Sequence, residues 1–149
     1  MTLRWVVASL HLIALGIGLG AVWVRARALR AQPDADRLKT AFRADALWGI
    51  AALIWISTGL WRAFGGLEKG TDYYLGSQAF RIKMTLLIVV LLLEVMPMLG
   101  LMRWRKRSAR GEPVDLSRAP LFSGISLIQA VLVVLMVFAA AAMARGLGA

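Results

Sequence analysis

The chain has 149 residues, 60% of them hydrophobic, no cysteine, and a formal charge of +10. That length reads as one domain, and the missing cysteines exclude disulfides, thiolate metal sites and cysteine nucleophiles. Because the basic residues cluster between apolar runs, the expected partner is the lipid bilayer, and no nucleic acid is expected.

Apolar runs at about 5–24, 46–64, 80–102 and 120–143 each approach the ~20 residues that cross ~30 Å of hydrocarbon. They predict an all-α polytopic membrane protein, an antiparallel bundle of four transmembrane helices making a single domain over 1–149. The first run passes straight into Arg25 and Arg27 without a small-residue cleavage site, as a retained helix does and a signal peptide does not. It holds the single histidine, His11, roughly 9 Å inside Trp5 at 1.5 Å per residue.

His11, Leu15, Gly18 and Val22 share one helix face, flanked by Gly16 and Gly20. The glycines open a flat gap that suits either a neighbouring helix backbone or the edge of a planar macrocycle. Residues 25–43 are polar, with a turn at Gln32-Pro33-Asp34, and read as a loop with at most a short interfacial helix. Asp45 is then expected to open the second span, where a carboxylate suits a helix N-terminus. Trp48, Trp55 and Trp61 lie along that span, Trp61 as an interfacial anchor.

Gly65, Gly66, Gly70 and Gly76, with Glu68, Lys69 and Asp72, mark a wet loop that also carries Tyr73 and Tyr74. The tyrosines suit the headgroup level or a redox or substrate role. The third run, FRIKMTLLIVVLLLEVMPMLGLM, carries Lys83 near its start and Glu94 inside. Charges in hydrocarbon cost at least a few kcal/mol, so the Lys83, Leu87, Val90, Glu94 stripe should face a bundle interior. Pro97 is expected to kink this helix. Glu94 is either a protonated relay group or the partner of Arg27, Arg43 or a carbonyl freed by Pro97. Residues 103–118 form the most basic loop; Ser117 should cap the last helix and Pro120 fits its first turn. Ser123, Ser126 and Gln129 give that helix a polar edge suited to interhelical hydrogen bonds.

Twelve of the eighteen lysines and arginines lie in the first and third loops. The bias places loops 25–45 and 103–118 in the cytoplasm and both termini on the periplasmic side. His11 and Lys83 then enter from the same side at similar depth, near Arg62, Tyr73, Tyr74 and Arg81. An imidazole in a helical bundle is a good axial ligand for haem iron, and nearby cations neutralise propionates. The same imidazole also suits an interhelical hydrogen bond. Methionine thioethers for copper find no supporting cysteine or second histidine, and the serines have no credible base.

The segments LHLIALGIGLGAVWVRARALR, FRADALWGIAALIWISTGLWRAFGGLEKGTDYYLGSQAFRIKM and LLEVMPM resemble the DUF2214 family, bacterial inner-membrane proteins whose function is not established. More distantly, the "LH" of helix one and the "F-x-x-K" opening a later helix resemble HemJ-type protoporphyrinogen oxidases and the CopD-like four-helix group. The HemJ resemblance implies haem b, His11 as its ligand, Lys83 as the functional lysine and an oxidoreductase activity. Gly18 and Arg81 would line the cofactor. HemJ-type proteins carry further histidines and this chain carries one, so a second axial ligand would come from Met, Lys or the His11 of a homodimer partner. Two other expectations stand beside haem binding: a cofactor-free accessory subunit of a larger membrane complex, and a small transporter or ion-handling protein using Glu94.

Overall fold

The computed structural model describes residues 2–66 and 71–147, so Glu68, Lys69 and Gly70 of the expected second loop lie outside the described residues. The chain forms α1 (Thr2–Ala28), α2 (Ala35–Phe64), the short α3 (Thr71–Gly76), α4 (Gln78–Ala109) and α5 (Ala119–Ala144). There is no strand among the described residues. The four long helices are the four expected spans, each apolar and long enough to cross a bilayer.

Two expected loops are shorter than composition suggests. Residues 35–45 continue α2 toward its start, because Asp34 caps it: the Asp34 side chain accepts the Arg37 backbone N–H at 2.8 Å, just after Pro33. Lysine, arginine and alanine are good helix formers, so the polar stretch carries on as helix beyond the apolar span. Asp45 therefore does not start a helix but sits inside one. Likewise α4 continues to Ala109, and a 3.0 Å bond from the Ser117 backbone N–H holds the Asp115 carboxyl below its usual range. Ser117 does not cap α5; Arg118 holds that position without a side-chain bond, and proline occupies the first turn as expected. Pro97 lies buried within α4.

α1 packs against α2 and α5, and α4 against α5, while α2 and α4 touch sparsely. Small residues make the α1–α2 contact close: Gly18, Ala14 and Ala21 are buried, and a methyl added at Gly18 would sit 3.4 Å from Ala51 and 3.5 Å from Trp48. Only 22–33% of each span is buried inside the bundle. Large side chains such as Trp5, Leu53, Leu92 and Phe138 face outward. Lipid supplies the remaining apolar contact, which is why these faces lack the polar residues of a soluble helix.

At the end bearing the basic loops, Leu29, Leu101, Trp104, Ala119 and Phe122 close the core. Gly100 is the tight point, since a Cβ there would run into the Phe122 ring, itself held by Trp104 at 5.1 Å between centroids. Gly100→Ala should cost about 1–3 kcal/mol by overpacking. Thermal unfolding in detergent should show a lower midpoint, recovered when Phe122→Leu is added; an unchanged midpoint would contradict this packing.

Candidate functional site

The end opposite the basic loops contains a cavity of about 370 Å³, within the range of small-molecule sites. α1 contributes His11, α2 contributes Trp55, Gly59 and Arg62, α3 contributes Tyr73 and Tyr74, α4 contributes Lys83, and α5 contributes Met136 and Met143. The structure thus brings together His11, Lys83, Tyr73 and Tyr74 of the sequence candidates. Arg81 does not line the cavity; it is exposed on α4, and Arg62 stands there instead. Gly18 lies two turns away and packs on Trp48 and Ala51, so its gap receives α2.

α3 forms one wall. The Tyr73 hydroxyl donates to the Met143 carbonyl at 3.3 Å, tying α3 to the end of α5. Tyr74 is buried against Phe80 at 5.3 Å between centroids, in a cluster with Ala63. The tyrosine pair is helical and partly core, where the sequence suggested an open loop.

His11 is turned into its own bundle, 6% exposed. Its Nδ1 lies 2.9 Å from the Trp55 carbonyl oxygen and 3.0 Å from the Thr58 hydroxyl oxygen. A carbonyl only accepts, so Nδ1 carries the proton and donates. The Thr58 hydroxyl directs its own proton to the Ile54 carbonyl at 2.6 Å, which leaves a lone pair toward Nδ1. In the neutral ring the Nε2 atom then holds the lone pair, the arrangement found in metal-ligating histidines. Gly59 permits this fit: a Cβ there would be 3.0 Å from the imidazole Cε1.

Glu94 belongs to a separate cluster nearer the basic end. Arg25, fully buried, donates Nε–H to Ser126 at 2.9 Å. One terminal nitrogen donates to Asp45 and Glu94, the other to Glu94 and Gln129, each at 2.8 Å. All five guanidinium N–H groups are used, and the Glu94 contact is bidentate. Gln129 also donates to Glu94 at 2.8 Å and to the Val90 carbonyl at 3.2 Å. Arg105 reaches the second Asp45 oxygen at 3.6 Å. Ser123 bonds the Ala26 carbonyl at 2.7 Å, so the polar edge of α5 serves α1 and α4.

Sequence reasoning gave Glu94 other partners, Arg27, Arg43 or a freed carbonyl, and counted Arg25 as a loop cation. The signal for Arg25 was present: it continues the His11, Leu15, Gly18, Val22 face at the next i+3 step. Among the described residues no three His, Cys, Asp or Glu side chains converge as a metal site.

A family model described as "Predicted membrane protein (DUF2214)" matches residues 3–148. The chain belongs to the DUF2214 family. The match covers nearly the whole chain, so the four-span bundle, the His11 cavity and the Arg25 cluster all lie within the family domain. No curated protein and no solved structure matches the chain. The more distant likeness to the HemJ and CopD-like groups therefore rests on the residues around His11 and Lys83.

Proposed function

We propose that this DUF2214 protein binds haem b in the cavity between α1, α2, α4 and α5, with His11 as axial ligand. The observation that supports the reading is the 2.9 Å contact of His11 Nδ1 with the Trp55 carbonyl, the orienting contact that a metal-ligating histidine makes through its other ring nitrogen. The donor set fits. An imidazole that, among the described residues, has no converging carboxylates or thiolates suits a metal that brings its remaining donors with it, as a porphyrin does. Lys83 and Arg62 line the same cavity and would hold propionates, and Met136 and Met143 would offer thioethers to the iron.

Bound there, haem b would supply one-electron redox chemistry, which makes the protein a redox or porphyrin-handling component of the membrane. The chain's own residues would orient the imidazole through Trp55 and Thr58, hold acidic groups at Lys83 and Arg62, and exclude water with the aromatic wall of α3. The excess of lysine and arginine supports a bacterial inner-membrane orientation with the basic loops cytoplasmic and the haem end periplasmic. Glu94 is engaged by Arg25 and Gln129, which favours a structural role over ion handling.

An optical spectrum of the detergent-purified protein, with hemin added to any colourless preparation, tests the reading. A Soret band and sharp α and β bands on reduction are expected. A spectrum identical to free hemin in the same detergent sinks it.

A further inference from the structure

The seam between α2 and α4 is much looser than the contacts that α1 makes with α2 and α5 and that α4 makes with α5, and it holds a second cavity of about 260 Å³. Ala52, Ile56, Leu87 and Leu91 give it apolar walls, and Asp45 and Glu94 of the Arg25 cluster line it as well. A small side pocket of about 30 Å³ shares Ile56 and Leu87 with it and shares His11 and Lys83 with the larger cavity. Trp55 lines all three spaces. Among the described residues its indole Nε1 is the buried side-chain polar atom that lacks a hydrogen-bond partner. Buried donors are nearly always satisfied, and this one belongs to a residue that lines all three spaces, so a ligand bringing an acceptor to Trp55 would meet the need.

Depth and polarity narrow the ligand. Trp55 lies six residues, or ~9 Å, deeper than Trp61, whose half-exposed ring marks the interface. The ester carbonyls of a phospholipid stay at that interface, above the indole. An anion would have to leave the reach of Lys83 and Arg62 and enter a space whose charged lining is Asp45 and Glu94, at high cost. A neutral ring bearing carbonyl acceptors on a long apolar tail meets each requirement. We infer that the α2–α4 seam is a binding site for a lipid-soluble prenylated quinone, entered sideways from the bilayer, with a quinone carbonyl accepting the Trp55 indole N–H. The inference goes beyond the haem reading and does not need it.

The test is equilibrium uptake of decylubiquinone by the full chain in phosphatidylcholine–phosphatidylglycerol nanodiscs, counted by extraction and corrected for empty discs. Saturation near one per chain is expected. Trp55→Phe keeps most of the ring bulk and removes the donor, so it should weaken binding about five- to tenfold, the loss of one hydrogen bond. Ala52→Phe fills the seam and should abolish saturable uptake while helical circular dichroism is retained. Uptake equal to that of empty discs overturns the proposal, as does an unchanged affinity in Trp55→Phe. A stoichiometric phospholipid that remains on the protein and blocks uptake would also overturn it. No haem signal is read, so failure of the haem assignment leaves this measurement intact.

Discussion

Arg25→Met should destabilise the bundle by about 3–5 kcal/mol, because it removes the central cation of a buried ionic cluster and leaves two carboxylates facing each other, Asp45 with Arg105 at 3.6 Å and Glu94 with the neutral Gln129. No surface arginine of this chain should approach that cost, since exposed pairs such as Lys39–Asp36 are worth ~1 kcal/mol or less. Arg25→Lys should recover part of the loss: an ammonium keeps the charge but offers three donors where the guanidinium uses five. The triple variant Arg25→Met, Asp45→Leu, Glu94→Leu should recover most of it, since exchanging a whole buried ionic set for apolar residues is often neutral. Unfolding in graded denaturing detergent, followed by helical circular dichroism, measures all three. If Arg25→Met unfolds with the wild type, the cluster contributes nothing that lipid and packing do not already provide.

His11→Ala should remove the haem spectrum altogether, because no other side chain in that cavity offers a neutral imidazole. Two neighbouring variants grade the effect. Thr58→Val removes one of the two acceptors around Nδ1 and should weaken haem affinity about 10–100-fold, the usual cost of losing an outer-shell partner. Gly59→Ala puts a methyl 3.0 Å from the imidazole Cε1, so the ring must tilt and the Soret band should shift or broaden. Retention of a wild-type spectrum by His11→Ala would move the axial ligand to another residue. Loss in His11→Ala with no change in Thr58→Val would leave the ligand in place and reject the orienting role of α2.

The spans were legible in the sequence because lipid imposes a simple rule on composition: apolar length predicts helix, and four runs gave four helices. Their ends were not, because a polar stretch that leaves the membrane can stay helical, and the Asp34 cap decides where α2 begins. That same misplacement hid Asp45, whose inward position follows only once α2 starts ten residues earlier. His11 and Lys83 could be set at one depth by counting residues. Which neighbours surround them could not, since α3 brings Tyr73 and Tyr74 over the cavity by a contact to α5 seventy residues away. Arg25 was concealed by its company: next to Arg27 and Arg30 it looks like one more loop cation, although the i+3 step from Val22 sets it on the buried face.

The order in which Arg25 meets its partners sets a condition on how the protein is made. Asp45 follows it by 20 residues, but Glu94 follows by 69 and Gln129 by 104. At roughly 5–20 residues per second, Glu94 leaves the ribosome about 3–14 s after Arg25. During that interval the guanidinium has one carboxylate and the water at the membrane edge, within reach of a long side chain three residues from the end of α1. The Arg25–Asp45 pair is thus complete within α1 and α2, whereas the rest of the guanidinium's bonds wait for α4 and α5.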